Sequence, residues 1–163
     1  MHLSVLNLKW FTSKVERKIF DELGFCSVVI TGPIEGPPLR IGWTGYPRRL
    51  RKHHLHAIAW TVDSLIARRV VKEVSSLLAP RRLRDGRYDV PVDLAEQGLY
   101  IAGERIGAPV FEHNDMLKRV RAFRQYRLDK ALRELGVVMS PADQSPANAN
   151  DNDEPTAGLK ATA

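Results

Sequence analysis

A chain of 163 residues, 44% of them hydrophobic, suffices for one domain with its own core and at most a small appendage. Its formal charge is +6, and because Asp143, Asp151, Asp153 and Glu154 outweigh Lys160 by three after Ser140, residues 1–139 carry +9. Such a body attracts polyanions, nucleic acid above all and acidic membrane surfaces less specifically. The single cysteine, Cys26, excludes an internal disulfide and points to a reducing cytoplasm. No Cys/His set has zinc spacing, and no apolar run approaches spanning length: Lys9 interrupts the run Leu3, Val5, Leu6, Leu8.

In chain order, Ser13-Lys14-Val15-Glu16 has the form of a capping box. Val15, Ile19, Phe20 and Leu23 then recur at helical spacing before Gly24, which predicts an amphipathic helix over 13–23. The valine- and isoleucine-rich run from Phe25 to Thr31 predicts a buried strand, Gly32 to Pro38 a turn, and Leu39 to Trp43 a second strand pairing with the first as a hairpin. Residues 47–53 predict a short basic helix opened by Pro47, and His56 to Thr61 a third strand. Over 62–79, Val62, Ile66, Val70, Val74 and Leu77 form one apolar stripe, ended by Pro80. A basic, irregular connection follows from Arg81 to Val90, then helices over 92–102 and 114–135. The last helix sets Lys118, Arg119, Arg121, Arg124, Arg127, Lys130 and Arg133 around its apolar side. From Ser140 the chain is Pro, Ala, Asn, Asp and Gly with almost no large apolar residue, which predicts a disordered tail.

The stretch with most chemical content is Arg40-Ile41-Gly42-Trp43-Thr44 followed by Tyr46-Pro47-Arg48-Arg49-Leu50-Arg51-Lys52. A strand feeding arginines onto the start of a helix suits a phosphodiester, because guanidinium is always charged and grips two phosphate oxygens at once. An exposed basic helix serving only solubility is the plainer reading.

This order resembles the GIY-YIG nuclease superfamily, in particular its small bacterial and phage branch. The second-strand motif there, Lys/Tyr-Ile-Gly-aromatic-Thr, matches residues 40–44. The following Pro-x-x-Arg-Leu matches Pro47-Arg48-Arg49-Leu50, and Asp85-Gly86-Arg87-Tyr88-Asp89-Val90 looks like a worn Gly-Glu-Trp-Phe segment. The resemblance covers roughly residues 24–91. It implies an α/β domain of the α+β type, a small antiparallel sheet flanked by helices, here with added N- and C-terminal amphipathic helices. The corresponding division is an N-terminal helix to residue 23, a core over 24–91, a helical extension over 92–139 and a tail over 140–163.

The resemblance also implies hydrolysis of DNA by one divalent metal, Mg²⁺ or Mn²⁺, held by a helix glutamate, with an arginine stabilising the transition state. Carried over, the arginine is Arg49, or Arg48 in the alternative register, and the metal ligand is Glu73. Glu73 could instead pair with Arg69, and the expected position also falls near Val71. The first motif tyrosine falls on Val28 or Val29, neither of which moves a proton. Arg40 occupies the second motif position, where it can bind phosphate but is a poor base. Tyr46 and His53 are the candidates for proton transfer; His53, His54 and His56 could equally be solvated loop residues. Asp63 reads as a charge at a helix N-terminus. Phosphate contacts are expected from Arg40, Arg51, Lys52, Arg121 and Arg124. Two readings follow: a metal-dependent endonuclease, or a nucleic-acid-binding module on the same scaffold that has lost its catalytic groups.

Overall fold

The computed structural model describes residues 10–45 and 54–137. Three strands and four helices are ordered α1 (Lys14–Leu23), β1 (Cys26–Gly32), β2 (Arg40–Thr44), β3 (His54–Thr61), α2 (Ser64–Leu77), α3 (Val92–Arg105) and α4 (His113–Glu134). The sheet order is β2-β1-β3, antiparallel throughout. This is the α+β arrangement, a small antiparallel sheet flanked by helices, that the residue pattern predicts.

The starts of α1 and α2 follow from their capping residues. Ser13 Oγ accepts from the Glu16 amide at 3.2 Å, and Asp63 Oδ1 accepts from the Ile66 amide at 2.8 Å. Each supplies an acceptor for an amide that the helix itself leaves open. Gly24 closes α1 at φ 71°, a left-handed conformation that costs glycine least.

The central strand β1 is buried at every position, which explains its unbroken apolar run. Strand alternation sends Val28 and Ile30 to one face and Val29 to the other. On the first face they join Ala57, Ala59 and Leu39 against Ala67, Val70 and Val74 of α2 and Ala95, Leu99 and Ala102 of α3. Gly98 faces Val74 across the α2–α3 contact, where an added Cβ would make only ordinary van der Waals contact at 3.6 Å. On the second face Val29, Ile58 and Trp60 pack against Ile19 and Phe20 of α1 and Met116, Leu117 and Val120 of α4. Trp60 is fully buried, and its indole N–H donates to His113 Nδ1 at 3.2 Å, which removes the cost of burying that donor. Burial pushes the Cys26 thiol above its ordinary pKa, and the charge of Asp63 adds to that.

These contacts lie within the compact unit Met1–Leu128. The second unit, Asp129–Ala163, is described to residue 137: it holds the end of α4, a Lys130–Glu134 pair at 3.9 Å, and Gly136 at φ 73°. The predicted tail from Ser140 lies outside the described residues.

Two segments differ from the sequence-based expectation. The third strand starts at His54, so His54 and His56 are strand residues; His56 Nε2 lies 2.7 Å from the Pro33 carbonyl, next to a bulge in β3's pairing with β1. The supposed irregular connection over 81–90 is an antiparallel ribbon. Arg82 bridges Tyr88, and Leu39 exchanges hydrogen bonds of 2.9 and 2.8 Å with Tyr88, extending the sheet beyond the start of β2. Of its apolar residues, Tyr88 and Val90 belong to the core while Leu83 is exposed; a single inward pair is too short to establish a strand period.

Candidate nucleic-acid interface

Strand β2 forms one edge of the sheet, and among the described residues nothing pairs with its outer side from Arg40 to Thr44. Ile41 and Trp43 pair with Ile30 and Val28, so they share the face covered by α2, while Arg40 and Gly42 project from the opposite face. Trp43 stays 38% exposed, and the Arg68 guanidinium from α2 lies over its ring at 4.7 Å from the centroid. Among the described residues, an added Cβ at Gly42 or Gly45 would meet nothing within 4 Å.

The ribbon continues this edge. Leu83 N–H donates to the Arg87 carbonyl at 2.7 Å, and the turn between them contains Gly86 at φ 81°. Asp85 braces it, accepting from the Arg87 amide at 3.0 Å and from its side chain. Those two hydrogen bonds, with the charges of Arg87 and Arg40 adding, hold the Asp85 carboxyl below its ordinary pKa. Residues 81–88 therefore present Arg81, Arg82, Arg84 and Arg87 with one balancing carboxylate. Among the described residues no carboxylate lies within ion-pair distance of Arg40, Arg68, Arg81, Arg82 or Arg84. Arg68 and the arginines of the ribbon were not singled out as site residues from sequence. The run Arg81-Arg82-Leu83-Arg84 was the available signal, but its pairing with Leu39 was not visible.

The basic residues of α4 are disposed differently. Arg121 Nε and Arg124 Nη1 lie 3.5 and 3.7 Å from Glu16 Oε1, Arg127 pairs with Glu22 at 2.6 Å, and Lys118 pairs with Asp115 at 3.1 Å. Arg119 covers the Phe111 ring at 4.5 Å. Glu16 is buried, and its other oxygen accepts from the amide and hydroxyl of Thr12 at 3.1 and 3.2 Å. Arg121 and Arg124 thus have a structural task, tying α4 to α1 through a carboxylate that needs cations.

Glu73 pairs with Arg105 of α3 at 3.3 Å, rather than with Arg69 on its own helix. At 100° per residue, Glu73 and Arg68 stand about 140° apart on α2, on opposite flanks of the buried stripe Ala67, Val70, Val74. Arg68 looks toward β2 and Glu73 toward α3. Val71, the other position considered for the metal ligand, packs against the core. Among the described residues no three His, Cys, Asp or Glu side chains gather where they could hold a metal ion. Glu73, the ligand the resemblance implies, is engaged with Arg105, and no chemical step is derived through a metal. Tyr46, Arg48, Arg49, Arg51, Lys52 and His53 lie outside the described residues, as does the predicted helix over 47–53. Val28 and Val29, at the first motif position, are 0% and 4% exposed.

No helix of the described residues is long and apolar enough to cross a membrane. Compared with family models, curated proteins and solved structures, the chain matches none.

Proposed function

We propose that the protein binds nucleic acid along the outer edge of β2 and the ribbon over 82–88, on a scaffold resembling a GIY-YIG domain. One contrast carries the reading. Most cations of α4 are held by carboxylates of the same protein, whereas Arg40, Arg68, Arg82 and Arg84 are exposed with no carboxylate partner among the described residues, and Arg68 lies over an exposed tryptophan. Guanidinium groups on an open edge suit phosphate oxygens, and the net charge of the body draws the polyanion in. The basic run over 48–52 follows β2 directly in sequence and adds to the same attraction. DNA is the partner that the resemblance implies.

Binding of a labelled oligonucleotide across a salt series tests this. Each phosphate contact contributes about 0.7 to 0.9 to the slope of log K against log salt. The double substitution Arg82→Ala, Arg84→Ala should weaken binding and flatten that slope by about 1.5. An unchanged slope would exclude the ribbon from the interface.

Metal-dependent cleavage is the second reading, favoured by the match of Arg40-Ile41-Gly42-Trp43-Thr44 to the family's second strand. Nicking of supercoiled plasmid with Mg²⁺ or Mn²⁺ that disappears in Arg49→Ala would support it. Salt-sensitive binding without nicking leaves the binding module alone.

A further inference from the structure

Resting on nucleic-acid binding at the β2 edge, we infer that the preferred ligand is single-stranded, with an unpaired base stacked at Trp43 and Arg68. A duplex keeps its base faces covered by neighbouring bases, so a protein that reads it by charge alone gains nothing from an exposed aromatic ring. Here the edge strand spends a tryptophan at a position 38% exposed to solvent. The ring is held at its base by the strand and braced by the Arg68 guanidinium. A guanidinium lying over one face of an indole leaves the other face to a base, and such base–aromatic stacking is favourable.

The surroundings suit an extended strand. Among the described residues no side chain crowds the strand at Gly42 on its other face, where a backbone phosphate can approach beside Arg40. Arg40 lies three residues away, about 10 Å along an extended chain, and its charge reaches Asp85 at the ribbon turn. Arg40 and Trp43 project from opposite faces of β2, so a flexible strand lying along the edge meets both, with phosphates toward the arginines and a base toward the ring. A stiff duplex would have to choose one face. The rival occupant, a peptide adding to the sheet edge, would need backbone pairing rather than stacking, and an acidic one would ignore the loss of a ring.

Fluorescence anisotropy of the full chain with three labelled probes decides the matter: a twelve-residue thymidine strand, an abasic strand of equal length and charge, and a twelve-base-pair duplex. The thymidine strand should bind about tenfold tighter than the abasic strand, the ratio expected for one stacked base, and tighter than the duplex. Trp43→Ala should weaken thymidine binding about tenfold and much more than abasic binding, while Trp43→Phe keeps most of the preference and checks that the fold is intact. Equal affinity for thymidine and abasic strands, a duplex preference, or indifference to Trp43→Ala would overturn the single-strand assignment while leaving the electrostatic interface standing. Absence of binding to all three probes at low salt would instead overturn the proposed function, and this inference with it.

Discussion

Replacing Glu16 by alanine tests whether the arginines of α4 serve the fold or a ligand. The carboxylate is 3% exposed and accepts two hydrogen bonds from Thr12, while Arg121 and Arg124 approach its other oxygen. Each Thr12 bond is worth about 1 kcal/mol net. Each arginine, half exposed and screened by solvent, adds about 0.5 kcal/mol. Glu16→Ala should therefore cost about 3 kcal/mol, a fall in Tm of roughly 6–12 °C for a chain of this size. Glu16→Gln keeps an acceptor for Thr12 and loses only the charge, so about 1 kcal/mol is expected from the same scale. Urea and thermal unfolding followed by circular dichroism measure both, and a double-mutant cycle with Arg124→Ala isolates the coupling. The paired substitution Arg121→Ala, Arg124→Ala should lower stability and leave oligonucleotide affinity less affected than Arg82→Ala, Arg84→Ala does. If Glu16→Ala unfolds within 0.5 kcal/mol of the wild type, or if the α4 pair dominates binding, the assignment of those arginines to the fold is wrong.

Two smaller predictions follow from local geometry. At Gly103 an added Cβ would fall 2.5 Å from Val110 Cγ2 and 3.1 Å from the Ala108 carbonyl oxygen, so Gly103→Ala should destabilise by about 1–3 kcal/mol in the same unfolding assay; no loss would mean that the 106–110 loop yields freely. Asp85 is depressed below its ordinary value of 3.8 by the Arg87 hydrogen bonds; its support of the ribbon is thus complete above that value and lost as pH falls through the lower folded one. An NMR titration should place its midpoint below 3.8, and Asp85→Asn should abolish the matching low-pH change at the Arg87 amide.

How much of this was legible in the residues depends on the range of the interaction. Ser13 and Gly24 act within four residues of themselves, so the start and end of α1 could be read directly, whereas Asp63, read as a charge in the first turn, is the cap of α2. The apolar periods of β1 and α2 likewise report burial, because burial follows the period. Pairings across long separations leave no such trace. Glu73 meets Arg105, 32 residues on, where helical spacing had suggested Arg69. Glu16 was legible as a capping-box glutamate, yet its carboxylate turns to Thr12 and to α4, a helix about a hundred residues away. Seven cations on α4 suit either a phosphate-binding face or the solvated face of a packing helix; acidic residues of α1 and of α4 itself take up several of them.

The position of the core also constrains where any ligand can act. With α2 and α3 on one face and α1 and α4 on the other, Val28 and Val29 each look into a dry interior. A tyrosine hydroxyl at either place would be buried away from any phosphate and would cost free energy unless it found a partner. The middle of β1 is therefore closed to nucleic-acid chemistry as the described residues stand. Open positions among the described residues include the rim: β2 at the sheet edge, the ribbon that prolongs it through Leu39 and Tyr88, and the flank of α2 that carries Arg68. Strand β2 is the one whose residues are partly exposed, unlike β1, so Gly42 and an exposed Trp43 coexist there with a finished core.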